Sequence, residues 1–218
     1  MLARWQVRAF YDRLGAKLDW WGSWADPAIR DLLSNATFEA AVAVFELGCG
    51  TGRLAERLLD RILPPQASYT GIDLSPTMID LARRRLKRFG DRAAVHLTDG
   101  AAHLEVAAAS CDRFLCTYVL DLLEEEEIRT VIDEAHRVLS ADGLLGVVSL
   151  CPGSTLFSRM LTGAWARLNA ARPALLGGCR PIELLKLLPK GAWEVRHTRT
   201  ISRCGVPSQI IVAAKVER

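Results

Sequence analysis

The apolar positions of this 218-residue chain fall into short unbroken runs that alternate with stripes of helical spacing. Residues 41–47 (AVAVFEL) show no polar alternation, the pattern of a strand buried on both faces of a parallel sheet. Glycines at 48, 50 and 52 end the run. From Arg53 the apolar residues Leu54, Leu58 and Ile62 recur four apart until Pro64 and Pro65 stop the helix. The alternation then repeats. Residues 68–74 read as a second strand, Ser75 as a helix N-cap and Pro76 as a first helical residue, with Met78, Ala82, Leu86 and Phe89 as one stripe. Residues 94–97 and 112–119 read as the third and fourth strands. Residues 124–139 read as a helix whose acidic first turn suits the positive end of the helix dipole. Asp142-Gly143 reads as a turn and 144–150 as a fifth strand. Residues 193–201 and 210–216, joined by a loop holding Gly205 and Pro207, read as a hairpin. Strands alternating with helices predict a parallel sheet covered on both faces, with ligands bound beyond the carboxyl ends of the strands.

The length fits one domain, with a helical, Trp-rich cap over 1–40, a core over 41–150, a helical insertion over 151–191 and the terminal hairpin over 192–218. Half of the residues are hydrophobic and 24% are charged, the balance of a globular protein with a sizeable core. The net charge of +3 does not mark a nucleic-acid protein, and none is expected as a partner. The cluster Arg83, Arg84, Arg85, Lys87 and Arg88 reads as the solvated outer face of a helix. Six cysteines occur without a CxxC pair or a Cys/His cluster of zinc spacing, so no metal is expected and a reducing cytoplasm fits. Arg4, Arg8, Asp12 and Arg13 interrupt any secretory signal, and no apolar run reaches the roughly 18 residues of a membrane span. Trp20, Trp21 and Trp24 leave peripheral membrane contact open, although the sequence pattern shows no basic amphipathic helix beside them.

Three strand ends carry candidate chemistry. The first reads Glu46-Leu47-Gly48-Cys49-Gly50-Thr51-Gly52, where alternate glycines let the chain turn sharply and bring bare backbone to a ligand at a helix N-terminus. The spacing is GxGxG, not the GxGxxG of dinucleotide binders, and alone it is equally a tight strand-to-helix turn. The second ends at Asp73, 21 residues after Gly52, placed to accept hydrogen bonds from ribose hydroxyls. The third is followed by Asp99-Gly100, where an isolated Asp is more often a turn residue.

Together these segments resemble the class I S-adenosylmethionine-dependent methyltransferases. ELGCGTG is similar to their glycine-rich motif, GIDLSPTMI to their ribose-binding strand end and TDGA to their adenine-contacting segment. CDRFLCTYVLDLL and HRVLSADGLL extend the likeness to the branch that holds small-molecule and quinone-biosynthesis enzymes. The resemblance implies a Rossmann-like, doubly wound, seven-stranded, mostly parallel sheet ending in an antiparallel hairpin. It implies S-adenosylmethionine as cofactor, Gly48, Cys49, Gly50 and Gly52 around the methionine end, and Glu46 organising the loop. It also implies Asp73 on the ribose, Leu74 and Met78 along the adenine, Asp99 and Gly100 addressing it, and Thr117 and Tyr118 near the reactive methyl.

Methyl transfer from a sulfonium needs mainly an acceptor held in line, and a general base only where the acceptor has a proton to lose. The base candidates are Tyr11, Tyr118, Asp121, His96 and His103. Each has a plainer reading: a pocket wall for Tyr118, a helix cap for Asp121, a core histidine for His96; His136 reads as packing. Thr117-Tyr118-Val119-Leu120 lacks the Asn/Asp-Pro-Pro-aromatic motif of amino-methylating nucleic-acid enzymes. Cys116 lacks the preceding Pro of the pyrimidine-C5 enzymes and reads as a small buried hydrophobe. A small apolar or aromatic acceptor, held by Tyr11, Tyr118 and Trp165 under the stripe Phe157, Met160, Leu161, Ala164, Trp165 and Leu168, is the leading expectation. A non-catalytic cofactor-binding subunit and a nicotinamide oxidoreductase are the alternatives.

Overall fold

The computed structural model describes residues 2–21, 25–153, 158, 160, 162–164, 167, 177–203 and 205–216. Seven strands form one sheet in the order β3-β2-β1-β4-β5-β7-β6. They are β1 (Ala43–Leu47), β2 (Ser68–Asp73), β3 (Ala93–Leu97), β4 (Cys111–Thr117), β5 (Leu139–Leu150), β6 (Trp193–Arg203) and β7 (Val206–Lys215). The first five run parallel, and β7 pairs antiparallel with both β5 and β6. The order reverses between β1 and β4, which makes their carboxyl ends the switch point where such sheets bind ligands.

Residues that alternate along the central strands divide the core in two. Val44, Leu115, Val148, Ile210 and Val212 face the helices α3 (Asp26–Asn35), α4 (Arg53–Arg61) and α5 (Pro76–Leu86). Phe45, Phe114, Leu145, Val147 and Ile211 face α6 (Glu125–Val138) and the segment around Ile182, Leu184 and Trp193. Both faces of β1 are therefore covered, which is why its sequence lacks alternation. Two further helices, α1 (Arg4–Leu14) and α2 (Lys17–Trp21), lie at the carboxyl ends of the strands.

Local deviations from the sequence reading have physical causes. β4 stops at Thr117 because Tyr118 adopts a left-handed backbone, φ 56°. The expected turn at Asp142-Gly143 is a bulge inside β5, where the partners step from Cys111↔Leu139 to Arg113↔Leu144. Pro207 lies within β7, not in the hairpin loop. Phe89 falls beyond α5, in a tight 3-10 segment broken at Gly90. His96 is exposed on the edge strand β3, so it is no core histidine. His136 does pack, with its ring edge-on to Trp193 and its Nε2 within 3.1 Å of the Val216 carbonyl oxygen. Trp165, Phe157, Leu161 and Leu168 lie outside the described residues, while Met160 and Ala164 of the same stripe are exposed. No helix among the described residues is long and apolar enough to cross a membrane.

Candidate functional site

Gly48, Gly50 and Gly52 all take positive φ, at 75°, 51° and 76°, so the chain reverses tightly between β1 and α4. The loop is tied to the neighbouring strand by Gly48 and Cys49 N–H groups that both donate to the Ile72 carbonyl. Gly48 also has no room for a side chain, because a Cβ there would lie 2.2 Å from a methyl of Val119. Gly71 on β2 is constrained in the same way: a Cβ would lie 2.7 Å from both Cys49 Cβ and the Tyr69 hydroxyl. The residue types at 48 and 71 thus follow from close approach of the backbone to its neighbours.

Asp73 stands at the tip of β2 and holds the loop. One carboxylate oxygen accepts the Gly50 N–H at 2.8 Å and the other accepts the Ser75 N–H at 2.9 Å. Burial raises its pKa, and the backbone N–H groups of Ser75 and Gly50 oppose that rise. Ser75 caps α5 by accepting the Met78 N–H at 3.1 Å, as its sequence position predicts.

Above this floor opens a cavity of about 1010 Å³. Of the residues implied by the sequence, Glu46, Gly48, Cys49, Gly50, Asp73, Leu74, Gly100, Thr117, Tyr11 and Tyr118 line it. Three others do not. Gly52 backs onto Ala82, Met78 is fully buried on the inner side of α5, and Asp99 is exposed with Oδ1 accepting the Ala101 N–H at 2.8 Å. Asp99 therefore closes a turn, and Gly100 with Ala101 presents the backbone to the cavity.

Glu46 is 1% exposed and accepts the Tyr69 hydroxyl at 2.5 Å. Burial, only partly offset by that bond, lifts its pKa from 4.5 to about 7. The folded protein then keeps this proton across a range where the unfolded chain loses it. The stabilisation is complete below pH 4.5 and is lost as the pH rises through about 7. Glu46→Gln is expected to remove this group's share of the decline, leaving those of Asp121, which burial lifts to about 7, and of Asp73, which burial also raises. Urea midpoints measured below and above this window check it, and an unchanged slope contradicts it.

The base candidates separate clearly. Tyr11 and Tyr118 line the cavity, but burial pushes both phenols above their ordinary range, so they stay protonated. Tyr118 donates to Ser208 Oγ at 2.9 Å, and the Tyr11 hydroxyl lies 3.9 Å from Cys179 Sγ. His96 and His103 are exposed and off the cavity, His103 lying 3.2 Å from Glu134. Asp121 is not a helix cap, since Glu124 and Glu127 form the capping box of α6. It is fully buried below the cavity, with Oδ2 accepting the Leu150 N–H at 3.2 Å and Oδ1 without a partner among the described residues. Cys116 is buried, as read, and burial raises its thiol pKa. No group of three or more His, Cys, Asp or Glu able to hold a metal occurs among the described residues.

The sequence reading missed how the N-terminal helices are latched to this floor. Asp19 of α2 accepts from Thr51 Oγ1 and pairs with Arg85, while Arg85 also donates to the Thr51 carbonyl at 2.9 Å. Asp12 of α1 accepts from Ser75 Oγ and the Thr77 N–H. Arg4 pairs with Glu127 at 3.0 Å. Arg85 is thus a strut against the glycine loop, not a solvated surface residue. Only the two acids of an otherwise basic segment hinted at such inward contacts.

Comparison with known proteins agrees with this geometry. A family model described as a methyltransferase domain matches residues 44–143, from β1 into the bulge of β5. Residues 44–143 are thus similar to a methyltransferase domain, and the fold around them is shared with a solved methyltransferase. A trans-aconitate 2-methyltransferase from Azoarcus sp. (strain BH72) is 30% identical over 169 residues, 76% of this chain and 59% of the relative. A malonyl-[acyl-carrier protein] O-methyltransferase from Laribacter hongkongensis is 31% identical over 156 residues, 67% of this chain and 51% of that one. The chain spans about half the length of the curated relatives it matches. The structure of an S-adenosylmethionine-dependent methyltransferase from Methanosarcina mazei matches the fold with a TM-score of 0.67 at 19% identity, over 86% of this chain and 98% of that one. The cofactor of the methyltransferase family is S-adenosylmethionine, and nothing in these comparisons supports a nicotinamide enzyme.

Proposed function

We propose that the chain transfers a methyl group from S-adenosylmethionine to a small acceptor that is apolar or aromatic around the reacting atom. One observation carries this reading: a buried carboxylate, Asp73, holds a triple-glycine loop open at 2.8 Å from Gly50 N–H beneath a cavity of about 1010 Å³. That volume exceeds the need of a cofactor alone by typical pocket sizes.

The residues fit the cofactor. Bare backbone at Gly48 and Gly50 would take the methionine end, next to the first turn of α4. Asp73 would accept from the ribose hydroxyls through the lone pairs left by its two N–H partners. Leu74 and Gly100 both line the cavity and would flank the adenine. When bound, S-adenosylmethionine supplies a methyl group already activated on a sulfonium. What remains for the protein is to hold the acceptor in line and keep water out. Tyr11, Leu18, Ile29, Leu54 and Tyr118 give that part of the wall its apolar character. Tyr118 is fixed by Ser208 and serves as a wall, with no base assigned.

The test is transfer of a labelled methyl group from S-adenosylmethionine into the organic-solvent extract of cells, with the purified chain added. Label in that fraction above the no-protein control supports the proposal. Label confined to unreacted cofactor, from protein that binds S-adenosylmethionine, supports a non-catalytic binding subunit instead.

A further inference from the structure

Two of the most exposed large hydrophobic residues are tryptophans of the N-terminal helices: Trp5 on α1 is 70% exposed and Trp20 on α2 is 79% exposed. Arg8, Ala9, Arg13, Ala16 and Lys17 of the same segment are exposed as well. Both acids of the segment are engaged, Asp12 by Ser75, Thr77 and, at 3.6 Å, Arg8, and Asp19 by Thr51 and Arg85. With these acids engaged, the two tryptophans stand among an excess of cations. Arg13 and Lys17 form no ion pair with any described residue, and Arg8 has only a 3.6 Å contact with Asp12. Trp5, Arg8, Ala9, Asp12 and Arg13 recur at i, i+3, i+4, i+7 and i+8, along one stripe of α1, with the Asp12 carboxylate held by Ser75 and Thr77. The opposite side of the same helix supplies Val7 and Tyr11 to the cavity wall. The exposed acids at the start of α6 meet this cap at Arg4, which is engaged by Glu127 and is not counted in the face.

We propose that this outer face of α1 and α2 docks on a bilayer carrying anionic lipid. Indole rings prefer the headgroup level of a bilayer, where the apolar ring is buried and the N–H stays wet. Arginine and lysine beside them meet the negative surface potential, each contributing about fivefold in affinity. The occupant follows from charge complementarity together with the two rings: a water-facing surface gains nothing from tryptophans this exposed, and a purely electrostatic partner leaves them unused. Docking is independent of the proposed methyl transfer. Taken with it, the arrangement brings the cavity to the membrane, where an apolar acceptor partitions.

The test is co-sedimentation of the full chain with vesicles of pure phosphatidylcholine and of phosphatidylcholine with a third phosphatidylglycerol. Binding to the anionic vesicles, weakened by salt, is expected, with little to the neutral ones. Trp5→Ala/Trp20→Ala and Arg13→Gln/Lys17→Gln are each expected to reduce it by about tenfold or more. Calorimetric titration with S-adenosylmethionine shows that these variants are folded and keeps a failure of docking separate from a failure of the cofactor reading. No binding to anionic vesicles, or binding undiminished in both folded variants, overturns the proposal. Binding of duplex DNA through the same residues, without vesicle binding, overturns it in favour of a nucleic-acid surface.

Discussion

Asp73→Ala is expected to lower the affinity for S-adenosylmethionine by about a hundredfold or more. A hydrogen bond to a charged group contributes about 1.5–3 kcal/mol, and the proposed ribose contact comprises two of them. The same substitution frees Gly50 N–H and Ser75 N–H, which the carboxylate now holds at 2.8 and 2.9 Å, so the loop also loses its support. Asp73→Asn retains one good acceptor oxygen and is expected to fall between the two. Isothermal calorimetry gives the affinities, and thermal unfolding separates a lost contact from a lost fold. A folded Asp73→Ala that binds with wild-type affinity contradicts the role given to this residue.

Gly48→Ala is expected to be the most damaging single-methyl change in the site. Two costs combine. The backbone sits at φ 75°, which costs an L-residue about 1–2 kcal/mol, and the added Cβ meets Val119 Cγ2 at 2.2 Å, an overpacking worth about 1–3 kcal/mol more. The urea-unfolding free energy should fall by about 2–5 kcal/mol, with cofactor binding lost alongside. Val119 Cβ lies 3.5 Å from the new methyl, so Val119→Ala in the same chain should restore the steric part and leave the backbone part. Gly50→Ala provides the contrast: its φ is 51° but its nearest neighbour is Leu18 at 3.4 Å, so only the backbone cost applies. A Gly48→Ala protein as stable as wild type contradicts the account of the loop.

The parallel core was legible because its strands are covered on both faces and their apolar runs say so. β1 is the clearest case, and the Ser75-Pro76 start of α5 carries its own capping chemistry. Edges were less legible. β3 is a strand by propensity, but only the sheet order reveals that it is the last one and that His96 faces solvent. Within the candidate site, spacing relative to the strand ends brings the glycine loop and Asp73 into one reading, and the structure joins them at Gly50 N–H. Asp99 is harder to read, since the same Asp-Gly pair serves a turn or a ligand, and one of its carboxylate oxygens accepts the Ala101 N–H. Asp121 has a sequence position suited to capping, yet the 3-10 turn from Leu120 to Leu122 carries it to the end of β5, where it accepts the Leu150 N–H. The latches Asp12–Ser75 and Asp19–Arg85 join residues more than sixty positions apart, and no local pattern announces them.

The central claim is that the cavity above Asp73 is an S-adenosylmethionine site. Its most direct test is calorimetric titration of the wild-type chain with S-adenosylmethionine, with NAD as control. Saturable binding of one S-adenosylmethionine per chain and none of NAD is the predicted result. A folded chain that takes up no S-adenosylmethionine, or that binds NAD instead, contradicts it.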